Sequence, residues 1–112
     1  MFAKLLRFFT PADDLLVRRV KNKNIQRVSV YGMGDVGIAV INRLPQYGIS
    51  LERWYDSKIT TQGNQMLGVS LTPFTQLNTD TSAAIIVASE AFTDQIQQVI
   101  EQNGYQGSVI TL

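Results

Sequence analysis

The sequence predicts an α/β domain built on a small open sheet of parallel strands, and three features predict it. Runs rich in β-branched residues alternate along the chain with segments of helical periodicity. The connections between those runs are of crossover length, which requires parallel neighbours and right-handed crossovers. The run Ala83-Ala84-Ile85-Ile86-Val87-Ala88 is continuously apolar, as a parallel strand buried on both faces should be. About five strands are expected, in the order 3-2-1-4-5, preceded by an N-terminal helix.

Thr10-Pro11-Ala12-Asp13 reads as the start of that helix, with threonine to cap, proline in the first position and an acid facing the positive dipole end. Leu15, Leu16 and Val20 share one side of it. Asn22-Lys23-Asn24 breaks the pattern, and Ile25 to Tyr31 is the first strand. Val36, Val40, Ile41 and Leu44 mark a helix from Asp35 that ends or kinks at Pro45. Ile49 to Tyr55 is a second strand, with Ile49, Leu51, Arg53 and Tyr55 on one face and Glu52 and Trp54 on the other. Its mixed pattern makes it less buried than the first. Ser57 to Leu67 reads as a surface excursion, Gly68 to Leu71 as a short third strand, and Phe74 to Leu77 as a short helix. After the apolar fourth strand come a helix marked by Phe92, Ile96, Val99 and Ile100, a stop at Asn103-Gly104, and a last strand from Ser108 to Leu112.

The chain has 112 residues, enough for one modest domain. Its organisation reads as an apolar segment and helix over 1–23 and a sheet domain over 24–112. Cysteine and histidine are both absent, which removes thiolate nucleophiles, zinc-thiolate sites and the commonest general base. Serine–histidine and cysteine–histidine hydrolysis are therefore excluded for this chain alone. A net charge of +1 gives no electrostatic case for nucleic-acid binding. No stretch approaches the ~20 apolar residues of a membrane span, and no signal-peptide cleavage pattern follows the N-terminal run, so a cytoplasmic location is expected.

The chemistry is concentrated in Tyr31-Gly32-Met33-Gly34-Asp35-Val36-Gly37, a G-x-G-x-x-G pattern that follows a strand and opens a helix. This is the arrangement of a Rossmann-like nucleotide-binding domain. Gly32 permits the tight turn, Gly34 lets backbone approach a pyrophosphate, and Gly37 lets the helix lie close on the sheet. The helix N-terminus then offers free N–H groups to an anion. Asp35 would point negative charge at that anion, so it reads first as a helix-opening acid. Asp56 ends the second strand 22 residues after Gly34, the spacing of a ribose-binding carboxylate, although aspartate there also caps the following turn. A carboxylate favours a free 2′-hydroxyl, hence NAD over NADP, while Lys58 and Arg53 nearby soften the preference. Ser89 follows the fourth strand at the edge where open α/β sheets bind ligands, as a nucleotide contact or a helix cap. Tyr31, Trp54 and Phe92 read as packing residues. The candidate site is Gly32, Met33, Gly34, Asp35, Val36, Gly37, Asp56, Ser57 and Ser89, with no metal and no catalytic group.

The stretch Asn24 to Gly37 resembles the small nucleotide-binding domains appended to bacterial glycosyltransferases, methyltransferases and polysaccharide-biosynthesis proteins. It is similar also to the N-terminal domain of sugar acyltransferases, in which a UDP-sugar sits on such a turn. Asp56 at the strand end, Gly68-Val69-Ser70-Leu71-Thr72-Pro73 in the place of a G-V-P-V segment, and Ile85 to Ser89 extend the resemblance to Leu112. It implies that Gly32, Gly34, Gly37 and Asp56 contact the ligand. Those families carry paired acids after the second strand, and this chain has Asp56-Ser57 instead.

The expected function is an accessory or regulatory module holding NAD or a nucleotide sugar. One alternative is a reduced or partner-dependent NAD(P)-linked enzyme of nucleotide-sugar or polysaccharide metabolism; another is an interaction domain with a vestigial site. Little in the sequence supports catalysis by the isolated chain, since a second mononucleotide half and a substrate domain are not apparent. Leu5, Leu6, Phe8 and Phe9 precede the first helix with little room to bury them, so Met1 to Phe9 and the first helix are expected to pack in a homodimer or against a partner protein, more than on a membrane surface. Deleting residues 1–9 should lower the mass measured by light scattering from dimer to monomer. An unchanged monomer before and after deletion removes the dimer reading.

Overall fold

The central strand of the domain, Arg27–Tyr31 (β1), lies between two strands far from it in sequence, and everything else is arranged about that trio. The computed structural model describes residues 11–112. In chain order these form helix α1 (Ala12–Asn22), β1, helix α2 (Asp35–Arg43), a 3₁₀ turn over Leu44–Tyr47 and strand β2 (Ser50–Asp56). Strands β3 (Gln65–Met66) and β4 (Val69–Pro73) follow, then a 3₁₀ segment Phe74–Thr79, β5 (Ala84–Val87), helix α3 (Thr93–Gln102) and β6 (Ser108–Ile110). The six-stranded sheet has the order β3-β4-β2-β1-β5-β6. All neighbours are parallel except β3 and β4. Omitting β3 leaves the expected 3-2-1-4-5 arrangement, so the correction is one added edge strand.

That strand lies in what the sequence presents as a surface excursion. Met66 pairs with Val69 across a two-residue turn, Leu67-Gly68, whose φ angles are +54° and +75°. Two left-handed residues in a hairpin turn usually announce themselves as Asn-Gly. Leucine in that position is strained and gives no such signal.

Helix α1 begins one residue later than expected, with Pro11 as its flanking residue, and the capping role read for Thr10 lies outside the described residues, as does everything read for Met1 to Phe9. The helix stops where Asn24 turns left-handed, at φ +58°. Asp13 and Asp14 are buried and tie α1 to α2. Arg43 Nε donates to Asp13 Oδ2 at 2.7 Å, and Tyr47 Oη donates to Asp14 Oδ1 at 2.9 Å. Pro45 ends α2 by converting it to the 3₁₀ turn, which Gly48 closes at φ +68°.

Alternation along the strands divides the interior into two layers. Val28, Val30, Ala84 and Ile86 face α1 and α2, while Tyr31, Ile85 and Val87 face α3 and the 3₁₀ segment. Strand β2 departs from its expected alternation. Val28 opposes Leu51 and Val30 opposes Trp54, so β2 holds one residue more than β1 between those pairs, a β-bulge at Glu52-Arg53. The extra residue reverses the parity, and Leu51 and Trp54 join the same layer. Among the described residues no helix is long and apolar enough to cross a membrane.

The α3 layer also contains a buried carboxylate. Asp80 accepts hydrogen bonds from Ser29 Oγ at 2.5 Å, Tyr55 Oη at 2.8 Å and the Ser82 N–H at 2.8 Å. Burial pushes its pKa up most strongly of any single influence, yet the combined hydrogen bonds hold it below the ordinary carboxylate value. Bonds to a charged acceptor contribute about 1.5–3 kcal/mol each, enough together to offset a desolvation cost of several kcal/mol. A depressed folded-state pKa stabilises the fold above the unfolded value of about 3.9, and that stability is lost as pH falls through the folded pKa. Asp80→Asn should therefore cost about 2 kcal/mol at pH 7. Urea titrations at a series of pH values should show the acid limb of the stability curve flattened in the variant.

Candidate functional site

The end of β1 is held by three neighbours at once. The Gly32 N–H donates to the Tyr55 carbonyl at 2.8 Å, the Ala88 N–H donates to the Tyr31 carbonyl at 2.9 Å, and Trp54 Nε1 donates to the Gly32 carbonyl at 2.6 Å. The bulge in β2 is what turns the indole towards that carbonyl. Gly32 has φ +126°, and a Cβ there would stand 2.8 Å from the Ala88 carbonyl oxygen. A Cβ on Gly37 would stand 1.9 Å from the Gly32 carbonyl oxygen. Both glycines are thus required by the protein's own backbone.

Gly34 differs. Its φ of −80° suits any residue, and a Cβ there would meet nothing within 4 Å. It sits at the N-terminus of α2, where the first N–H groups lack intrahelical acceptors and the dipole favours an anion. Beyond it opens a cleft of about 540 Å³ at the carboxyl ends of β1, β2 and β5. Its floor includes Tyr31, Gly32, Met33 and Ala88; Asp56, Ser57 and Lys58 form one rim; Ser89 and the start of α3 form the other.

Asp56 spans the turn. Its Oδ2 accepts from the Met33 N–H at 2.9 Å and its Oδ1 from the Lys58 N–H at 2.8 Å, so it caps the turn after β2 and pins the glycine turn to it. A carboxylate has about four acceptor positions, which leaves two for another donor. Ser57 Oγ lies 2.7 Å from Tyr31 Oη. Burial raises the Tyr31 pKa, against the bond to Ser57, and the Asp56 charge adds to the rise, so the phenol stays protonated at neutral pH. Ser89 Oγ accepts from the Phe92 N–H at 3.1 Å and fixes the loop that leads into α3, but it is not the helix cap, since the flanking residue is Phe92 and no side chain caps that end.

Six of the nine candidate residues therefore come together: Gly32, Met33, Gly34, Asp56, Ser57 and Ser89 line the cleft. Asp35, Val36 and Gly37 do not, because α2 rotates them away within its first turn. Asp35 is exposed, Val36 packs against the α1–α2 layer and Gly37 is buried beneath Gly32. Arg53 is also elsewhere, donating to the Gln76 carbonyl at 3.1 Å and Thr79 Oγ1 at 2.7 Å, which leaves Lys58 as the cation at the rim. Tyr31 and Trp54 are buried as expected, but Phe92 is 62% exposed at the mouth of the cleft. Gln95, Ile96 and Val99 line the wall behind it. The sequence presents Phe92, Ile96 and Val99 as one helical stripe, and periodicity alone does not separate a core stripe from one that runs out into a cleft.

Among the described residues no group of three or more His, Cys, Asp or Glu side chains could hold a metal ion. No protein-family model, curated protein or solved structure matches this chain. Asp56→Ala should release the glycine turn at a cost of about 1 kcal/mol, since both freed N–H groups lie near water. Faster amide exchange at Met33, with a shifted emission of the sole tryptophan, Trp54, is the expected signature.

Proposed function

We propose that this chain is a Rossmann-like nucleotide-binding module, which holds NAD or a nucleotide sugar with its phosphates on the Gly32–Gly37 turn and serves as an accessory or regulatory unit. The observation that carries the reading is the contrast among the three glycines. Backbone crowding accounts for Gly32 and Gly37, whereas no atom of the protein accounts for Gly34, which faces the cleft from the N-terminus of a helix. A glycine in that position is what a closely approaching phosphate requires.

The neighbouring groups support the same reading. Asp56 keeps two acceptor positions for ribose hydroxyls, and the ammonium of Lys58 has no partner among the described residues. The groups of the cleft favour binding over catalysis by the isolated chain. Tyr31 is held protonated, both Asp56 oxygens already accept backbone N–H groups, and neither histidine nor cysteine occurs in the chain.

The test is calorimetric titration of NAD, NADP and UDP-sugars into the protein and its Gly34→Val variant. A Cβ at this position meets nothing within 4 Å and φ is −80°, so thermal stability should stay within a few degrees of the parent. The parent should bind one of these ligands, and at 100 times its Kd that ligand should add about 2.7 kcal/mol of stability. The variant should lose at least about thirty-fold in affinity, roughly 2 kcal/mol. Equal affinities in the two proteins would overturn the reading.

A further inference from the structure

Two large apolar side chains are prominently exposed among the described residues, Leu67 and Phe92, each at 62%. Leu67 is put there by its left-handed turn. Phe92 has a negative φ, −120° with ψ 30°, and its N–H is fixed by Ser89 Oγ, so its exposure is not the by-product of a left-handed turn. It stands at the mouth of the cleft and begins a stripe with Gln95, Ile96 and Val99 at i, i+3, i+4 and i+7. At 1.5 Å per residue the stripe makes a wall about 10 Å long. Ile96 and Val99 are half-buried against the α3 layer, and the amide of Gln95 has no partner among the described residues.

We propose that Phe92 and Gln95 form a base-recognition subsite, in which the Phe92 ring stacks on the heteroaromatic base of the bound nucleotide and the Gln95 amide reads the base's polar edge. This rests on the nucleotide reading above and adds to it the residues that select the ligand. The cleft is divided by chemistry in the way such a ligand requires. Its anion-favouring end is Gly34 at the start of α2, and its polar middle is Asp56, Ser57 and Lys58. Its far end is the α3 wall, which is uncharged and mostly apolar, with one side-chain amide. A planar, neutral ring with hydrogen-bonding groups along its edge matches that wall, since every base has a face to stack and an edge that an amide can pair.

The experiment titrates ADP, UDP and inorganic pyrophosphate into the full chain and its Phe92→Ala, Gln95→Ala and Gly34→Val variants. Phe92 is largely solvent-exposed, so its alanine variant should unfold at the parent's temperature within a few degrees. It should bind both nucleotides about 10-fold to 100-fold more weakly while binding pyrophosphate as the parent does. Gln95→Ala should change the ratio of ADP to UDP affinity by about 3-fold or more. Gly34→Val should weaken all three ligands. Nucleotide binding that depends on Gly34 but is unmoved by Phe92→Ala overturns the subsite and leaves the phosphate turn standing. Loss of pyrophosphate binding in Phe92→Ala also overturns it, because the side chain would then act through the turn. An unmoved ratio in Gln95→Ala removes the role given to the amide. A parent that binds none of the nucleotides overturns both readings.

Discussion

Helix α2 approaches the end of β1 so closely that position 37 has room for a hydrogen atom and no carbon, its ideal Cβ falling 1.9 Å from the Gly32 carbonyl oxygen. The rest of the cleft follows from that approach. With α2 seated there, the Gly32 carbonyl is directed at the Trp54 indole, and the chain turns back at φ +126° beneath Ala88. Asp56 then reaches across to the Met33 N–H and joins the turn after β1 to the turn after β2. A methyl group at position 37 would have to push apart a helix and a strand whose other faces are already packed, and interiors of protein density do not yield in that way.

The two layers of the interior are built on different physics. The layer under α1 and α2 is aliphatic apart from Trp54, and its ion pairs lie outside it, where Arg43 and Arg18 meet Asp13 and Asp14. The layer under α3 combines aliphatic side chains (Leu77, Ile85, Val87 and Ile100) with three tyrosines and a polar network. Tyr31 and Tyr55 stack with centroids 6.2 Å apart, Tyr55 donates to Asp80, and Tyr31 meets Ser57 at the cleft. Tyr105 donates to the Ser82 carbonyl at 2.8 Å, which extends the network to the end of α3. Hydrogen bonds fix directions as well as distances, so this layer holds the cleft-lining Tyr31 hydroxyl in one orientation, which aliphatic packing alone would leave to rotamer preference.

What the sequence made legible was the part governed by local rules. The glycine pattern located the turn, the apolar run located β5, and period-3.6 stripes located α2 and α3, because those signals arise from backbone sterics and one-sided burial. The bulge at Glu52-Arg53 was not legible, since neither residue is unusual in a strand and only the pairing with β1 makes one of them extra. The β3–β4 hairpin was hidden because leucine occupies a turn position that asparagine or glycine usually marks. Asp56 was found by spacing, with ribose binding and turn capping both open, and its geometry reveals a third task, holding the Met33 N–H. The exposure of Phe92 depends on where α3 starts relative to the sheet edge, a distance that no local window contains.

The position of β1 between β2 and β5 has a consequence for how the cleft comes into being. Val28 pairs with Leu51 on one side and with Ala84 on the other, so the central strand is completed only when a contact spanning half the chain has formed. Contacts of such sequence separation form late, because the loop must close before any pairing rewards it. During synthesis Gly32 therefore leaves the ribosome well before Ala88, the residue that completes its floor. The glycine turn can be present as sequence, and even as a nascent strand–helix unit, while the place it helps to make does not yet exist. Completion of the cleft is thereby deferred until β5 has docked, and a chain interrupted before Ala88 lacks the cleft even with every residue of the glycine motif in hand.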